Sequence, residues 1–186
     1  MRSERELIDA LCAREAGAFE ELYDRHRVPI WRFLARLTGG GPSAEDLFQE
    51  TWLAAARRAH LLREDTSLLR WLYTIAHNKH RNDLRGWVQE SRKGAELYAH
   101  PAPEPPRPDD AASAQLEVER VRSAMTRQPA AHREVLILCA CEGLESDDAA
   151  AVLGLTPEAV RKRLSRARAE LAALVGRDAP RKGEKG

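Results

Sequence analysis

Residues 147–168 read DDAAAVLGLTPEAVRKRLSRAR. The stretch predicts two helices meeting at a tight turn. A short alanine-rich segment ends at Gly154, the residue type that most readily takes the left-handed conformation closing a helix. Thr156 then predicts a cap, Pro157 a first helical position and Glu158 a first turn. The helix so opened runs to about Leu174, with Val160, Leu164, Ala167, Leu171 and Leu174 on one side. Ser146 is expected to cap the preceding short helix. Short helix, glycine-centred turn and capped helix form a helix-turn-helix. Positions 161–168 hold five basic residues, Arg161, Lys162, Arg163, Arg166 and Arg168, and no acid. A helix fits the major groove of duplex DNA, and arginine offers a planar donor fork to bases and phosphates alike. A merely solvated basic face would explain the charge, but not its coincidence with the cap, the proline and the turn.

Upstream of this motif, a helix from about Ala131 to Cys141 is expected to stop at Gly143. Another, through Leu116, Val118, Val121 and Met125, should end near Gln128-Pro129. Before that the composition changes. Residues 99–113 read AHPAPEPPRPDDAAS, and five of the ten prolines lie between Pro101 and Pro108. Proline removes an amide donor and restricts its neighbour, so a semi-extended spacer is predicted there. The division expected is a helical domain over 1–92, an acidic linker over 93–115, the helix-turn-helix domain over 116–176 and a disordered tail over 177–186. The two lobes are expected to tumble with partial independence.

The N-terminal lobe also reads as helical. Leu7, Leu11, Ala18, Phe19, Leu22 and Tyr23 recur at helical spacing. Pro29 is expected to open a new turn or helix carrying Ile30, Phe33, Leu34 and Leu37. Gly39-Gly40-Gly41-Pro42 forces a break, after which Ser43 is read as a cap. The next helix carries Leu47, Phe48, Thr51, Trp52, Ala55 and Ala56, and a charged loop leads to another with Leu68, Leu69, Leu72, Ile75 and Ala76. Trp31, Trp52 and Trp71 are expected to pack in the core. The fold class is all-α, two small domains.

Net charge is +1 over 186 residues, so total charge names no partner. Its distribution says more: residues 1–89 carry 14 basic and 13 acidic groups, 90–119 carry 3 and 7, and 120–186 carry 13 and 9. No apolar run approaches the ~18 residues of a membrane span, and the charged N-terminus argues against a secretory signal. Cys12, Cys139 and Cys141 are too few for a disulfide framework. Buried small apolar roles are expected for them, in a cytoplasmic protein. No phosphate-cradling glycine loop, His-Glu-x-x-His or serine elbow occurs, so an enzyme is not expected, and no cofactor or metal is implied.

Several stretches, in order, resemble the group 4, extracytoplasmic-function type of bacterial RNA polymerase sigma factor, in the sigma-70 family. Asp46-Leu47-Phe48-Gln49-Glu50-Thr51-Trp52 is similar to the region 2.2 signature of that family. Trp71-Leu72-Tyr73-Thr74-Ile75-Ala76-His77-Asn78 is similar to its Trp-Leu-Tyr-x-Ile-Ala-Arg-Asn run. Arg133 to Leu136, Glu142-Gly143-Leu144, Ala150 to Gly154 and Val160 to Arg168 resemble region 4.

The resemblance implies partners and roles. Asp46, Gln49 and Glu50 would dock on the clamp helices of the largest subunit of core polymerase; their spacing places them on one helical side. The flap of the second-largest subunit would be a further contact. The loop from about His60 to Ser67, with Arg63, Asp65 and Thr66, would hold a base flipped from the −10 element. Asn78, Lys79, Arg81 and Arg85 would read or neutralise the same strand. Thr156, Glu158, Arg161, Lys162, Arg163 and Arg166 would meet the −35 duplex. His77 stands where arginine is usual and Asn82 where aspartate is, so local pairing or promoter preference should differ. An anti-sigma protein is the implied regulator; it could hold the chain at the membrane, into which the chain itself would not insert. Two other readings stay open: a helix-turn-helix regulator with an N-terminal sensing lobe, and an interaction module that binds no DNA.

Overall fold

In the computed structural model, which describes residues 2–91 and 110–178, the described residues form helices and connecting turns and no strand. The N-terminal lobe comprises α1 (Glu4–Cys12), α2 (Ala18–Thr38), α3 (Pro42–Arg58), a single 3-10 turn (Ala59–Leu61) and α4 (Leu68–Ser91). The C-terminal lobe comprises α5 (Asp110–Thr126), α6 (Ala130–Leu136) continued by a π-turn (Ile137–Cys141), α7 (Ser146–Leu153) and α8 (Pro157–Asp178). The greater part of the expected spacer, and of the expected tail, lies outside the described residues.

Local chemistry explains most of the boundaries. Ser3 and Glu6 make a reciprocal capping box at the start of α1. Arg14 and Gly17, both at positive φ, separate α1 from α2, so the first apolar stripe is two helices. Pro29 does not open a helix; it lies inside α2. Its missing donor costs one backbone bond, but Leu22, Ile30, Phe33, Leu34 and Leu37 are all buried along α2. Ser43 is not the cap of α3 either. Gly41 holds that position with φ 74°, and Pro42 takes the first turn. Similarly, Glu145 precedes α7 and Ser146 is already helical.

The C-terminal lobe packs α6 and α7 against α8, with α5 crossing the same helix. Buried Gln128 donates its amide to the Ala167 carbonyl at 2.8 Å, fixing the α5–α6 corner to α8. Ala149, Ala150, Val152, Val160 and Ala167 are buried, as expected of a close helix-turn-helix contact. Val118 and Val121 of α5 are not: they are 66% and 37% exposed, and among the described side chains of that helix Ala124 is the buried one. Cys141 is exposed, while Cys12 and Cys139 are half-buried.

The lobes are docked. α4 packs along α7, α2 meets the π-turn, and one contiguous buried cluster runs from Leu7 to Val160 through both lobes. This packing differs from the independent lobes expected from the proline-rich joint, because local composition does not register contacts between residues 69 to 106 positions apart.

Candidate polymerase and promoter surfaces

The α3 surface follows from which residues its apolar side buries. Leu47 and Thr51 turn inward, and the Thr51 hydroxyl donates back to the Leu47 carbonyl at 2.7 Å. Asp46, Gln49 and Glu50 are left exposed together. They border an open depression completed by Ser43, Leu53 and Asp83. Leu53 is 58% exposed, so this acidic surface carries an exposed apolar side chain.

On the neighbouring side of α3 lies an aromatic cluster that includes Trp31 and Trp52, both expected in the core. Trp52 is buried, with Phe19, Tyr23 and Phe48 ring centroids at 6.0, 4.7 and 6.1 Å. Trp71 is half-buried, but Trp31 is 36% exposed and meets Phe48 edge-on at 5.6 Å. Tyr23, Val28, Trp31 and Phe48 thus line a groove beside Gln49. The side chain of Trp87 lies outside the described residues.

The loop before α4 is exposed and folded on itself. Thr66 and Arg63 exchange bonds: the Arg63 amide donates to the Thr66 hydroxyl at 3.1 Å, and the Thr66 amide to the Arg63 carbonyl at 3.0 Å. Arg63 and Asp65 are both largely exposed, 4.0 Å apart. The Glu4 carboxylate accepts the Leu68 amide at 2.7 Å, so α1 supplies the cap that starts α4. Leu61 is 68% exposed at the loop entrance, an apolar side chain on an otherwise charged surface.

Along α4 the polar residues divide by face. Asn78, Arg81 and Asn82 are exposed, and Lys79 pairs with Glu50 at 2.9 Å. One residue expected to meet polymerase is therefore bonded to one expected to meet DNA. Arg85 lies in α4, with its side chain outside the described residues. His77 and His80 point inward, 1% and 4% exposed. His77 Nε2 lies 3.5 Å from a Glu134 carboxylate oxygen on α6, so its departure from the usual arginine bears on lobe contact. Burial holds the His80 imidazole below its ordinary pKa, helped by His77 and Arg133 and opposed by Glu134 and Asp83.

The α8 surface matches its sequence closely. Thr156 caps it: its hydroxyl accepts the Ala159 amide at 3.2 Å and its carbonyl the Val160 amide at 3.0 Å. Gly154 ends α7 at φ 66°. Arg161, Lys162 and Arg166 are exposed, Arg163 is half-buried, and Val160 and Ala167 face the interior. Glu158 pairs with Lys162 at 2.7 Å. Ser165 and Arg168 are exposed on the Arg161 side of the helix, three and four positions apart. Arg168 was counted in the basic cluster but assigned no contact, and Ser165 carried no charge to mark it.

Two family models match this arrangement: sigma-70 region 2 over residues 22–87 and sigma-70 region 4 over residues 119–171. The chain is 35% identical to the ECF RNA polymerase sigma factor EcfG of Rhodopseudomonas palustris, covering 80% of each. It is 34% identical to the sigma factor CnrH of Cupriavidus metallidurans, covering 87% of this chain and 88% of CnrH. Among solved structures, CnrH in complex with the cytosolic domain of CnrY aligns at TM-score 0.70 and 31% identity, over 95% of this chain and 99% of that one. RpoE in complex with the anti-sigma factor NepR, from Bartonella quintana, aligns at 0.75 and 25%, over 88% and 100%. The chain belongs to the extracytoplasmic-function group of sigma-70-family RNA polymerase sigma factors. It binds RNA polymerase core and directs it to promoters to initiate transcription. Among the described residues no helix is long and apolar enough to cross a membrane.

Proposed function

We propose that the two lobes divide promoter recognition between them, with residues 1–92 serving core binding and the −10 element and residues 116–176 the −35 element. Asp46, Gln49 and Glu50 dock on the clamp helices of the largest subunit. The observation that carries this is their joint exposure on α3 while Leu47 and Thr51 are buried. Arg63, Asp65 and Thr66 form the loop that receives an unstacked −10 base. Asn78, Lys79, Arg81 and Arg85 follow the strand along α4, with Lys79 released from Glu50 when DNA arrives.

At the −35 element, α8 enters the major groove. Arg161 reads a base, joined on its side by Ser165 and Arg168. Lys162, Arg163 and Arg166 neutralise phosphates, and Glu158 orients Lys162 rather than touching a base. Thr156 aims the amide end of α8 at phosphate, where the helix dipole favours an anion. The flap of the second-largest subunit contacts the same lobe. The protein acts in the cytoplasm as an initiation factor and not as an enzyme.

We further propose control by an anti-sigma protein. Two of the structural relatives are solved in complex with an anti-sigma factor or with the cytosolic domain of CnrY, and this supports the reading. Holoenzyme reconstituted with Gln49→Lys/Glu50→Lys tests the docking face: core affinity should fall at least tenfold with helical content unchanged. Unaltered affinity contradicts the assignment.

A further inference from the structure

Among the described residues four polar contacts cross between the lobes, two of them made by Glu142. One Glu142 oxygen accepts the Tyr73 hydroxyl at 3.0 Å and the other pairs with Arg36. The Glu142 side chain is only 3% exposed. Tyr73, 1% exposed, stacks edge-on against Phe33 at 5.0 Å. Burial and the adjoining carboxylate push the Tyr73 phenol well above its ordinary range, so it remains a donor. The backbone of Glu142 is fixed as well: its amide donates to the Ile137 carbonyl at 2.9 Å, closing the π-turn. Gly143, at φ 74°, then turns the chain away. A carboxylate of one lobe is thereby seated in a slot built by the other. Arg70–Asp148 at 2.7 Å and His77–Glu134 at 3.5 Å flank it.

A buried carboxylate is costly unless paired, and its removal from its partners is costly again unless water replaces them. Separation of the lobes would return Glu142 to water, so the contact fixes one geometry without being permanent. Near the same junction both ring nitrogens of His77 and Nδ1 of His80 are buried without a hydrogen bond.

The closed form is too short for a promoter. Elements centred at −10 and −35 are separated by about 25 base pairs, roughly 85 Å at 3.4 Å per pair. Here α4 packs on α7 and α7 on α8, and packed helix axes are only about 8–10 Å apart. The helices proposed to read the two elements therefore sit within roughly 20 Å of each other.

We infer that Glu142, held by Tyr73 and Arg36, is a latch by which the free chain keeps its own lobes closed, before any partner binds. Its release precedes simultaneous contact with both promoter elements. The latch belongs to the chain alone; only its consequence rests on the promoter assignment above.

The test uses the full-length chain without polymerase or DNA. Distances between labels at exposed Glu20 and Ala172 are measured for the wild type, Glu142→Gln and Tyr73→Phe, with circular dichroism to verify folding. The wild type should give one short distance. Each variant should raise the open-to-closed ratio roughly tenfold to a hundredfold, the range for losing a hydrogen bond to a charged group. Because the two substitutions act on one contact, the double variant should open no further than the sum of the singles. A wild type already open, or folded variants as closed as the wild type, overturns the latch. Failure of promoter recognition with the latch response intact would instead count against the division of promoter contacts.

Discussion

Lys162 Nζ lies 2.7 Å from a Glu158 carboxylate oxygen, one turn back along α8. Both side chains are 68% exposed, so the pair contributes little to stability. Its effect is on position. It draws the lysine toward the N-terminal end of the helix, where major-groove contacts concentrate, and it sets a negative charge beside the lysine. Glu158→Ala should free that charge and strengthen holoenzyme binding to every promoter at low salt, with little change in discrimination. Binding titrations at several salt concentrations measure this.

Arg161 and Lys162 should separate sequence reading from phosphate contact. Arg161→Ala should lower the preference for a matched over a scrambled −35 element by about 1–3 kcal/mol, the worth of a bidentate base contact. Lys162→Ala should weaken both duplexes alike and reduce the salt slope by about one. An unchanged matched-to-scrambled ratio for Arg161→Ala in holoenzyme binding would remove it as the base reader.

Stability should depend on His80 at mildly acidic pH. Its folded-state pKa lies below the ordinary value, chiefly through burial. The unfolded chain thus takes up a proton more readily, near pH 6.5. The stability associated with a neutral His80 is present above that pH and is lost as pH falls below it. His26, lowered also by burial, slopes the same way. Denaturant titrations between pH 7 and 5 should show a shallower decline for His80→Gln than for the wild type; equal slopes would count against the buried neutral imidazole.

Gly154 gives a backbone test of the helix-turn-helix. At φ 66° it ends α7, and a Cβ there would meet no atom within 4 Å. Gly154→Ala should therefore cost about 1–2 kcal/mol from left-handed conformation alone, without a packing clash. Chemical denaturation measures it, and a neutral result would mean the turn readily takes another conformation.

The parts readable from sequence were those governed by neighbours in the chain. Gly154, Thr156 and Pro157 act within one turn of their own positions, so the helix-turn-helix was expected residue by residue. The α3 face was equally readable, since burial of Leu47 and Thr51 dictates exposure of Asp46, Gln49 and Glu50. Ser43 and Ser146 were misread because a serine beside a boundary does not reveal which adjacent residue takes the cap conformation; Gly41 and Glu145 did. Pro29 was misread because tertiary burial of α2 outweighs one lost hydrogen bond. The Glu142–Tyr73 contact carried no local signal: its partners are 69 residues apart, and glutamate beside Gly143 looks like an ordinary solvated turn.

Run-off transcription with purified core polymerase on a promoter library tests the central claim most directly, using the wild type, Gln49→Lys/Glu50→Lys and Arg161→Ala. The wild type should select templates sharing a −10 and a −35 element and yield defined transcripts. The α3 variant should lose transcripts from all of them, and Arg161→Ala should relax one −35 position while initiation continues. Transcription by core that is indifferent to the wild-type chain, or selection unaltered by both variants, would contradict the account.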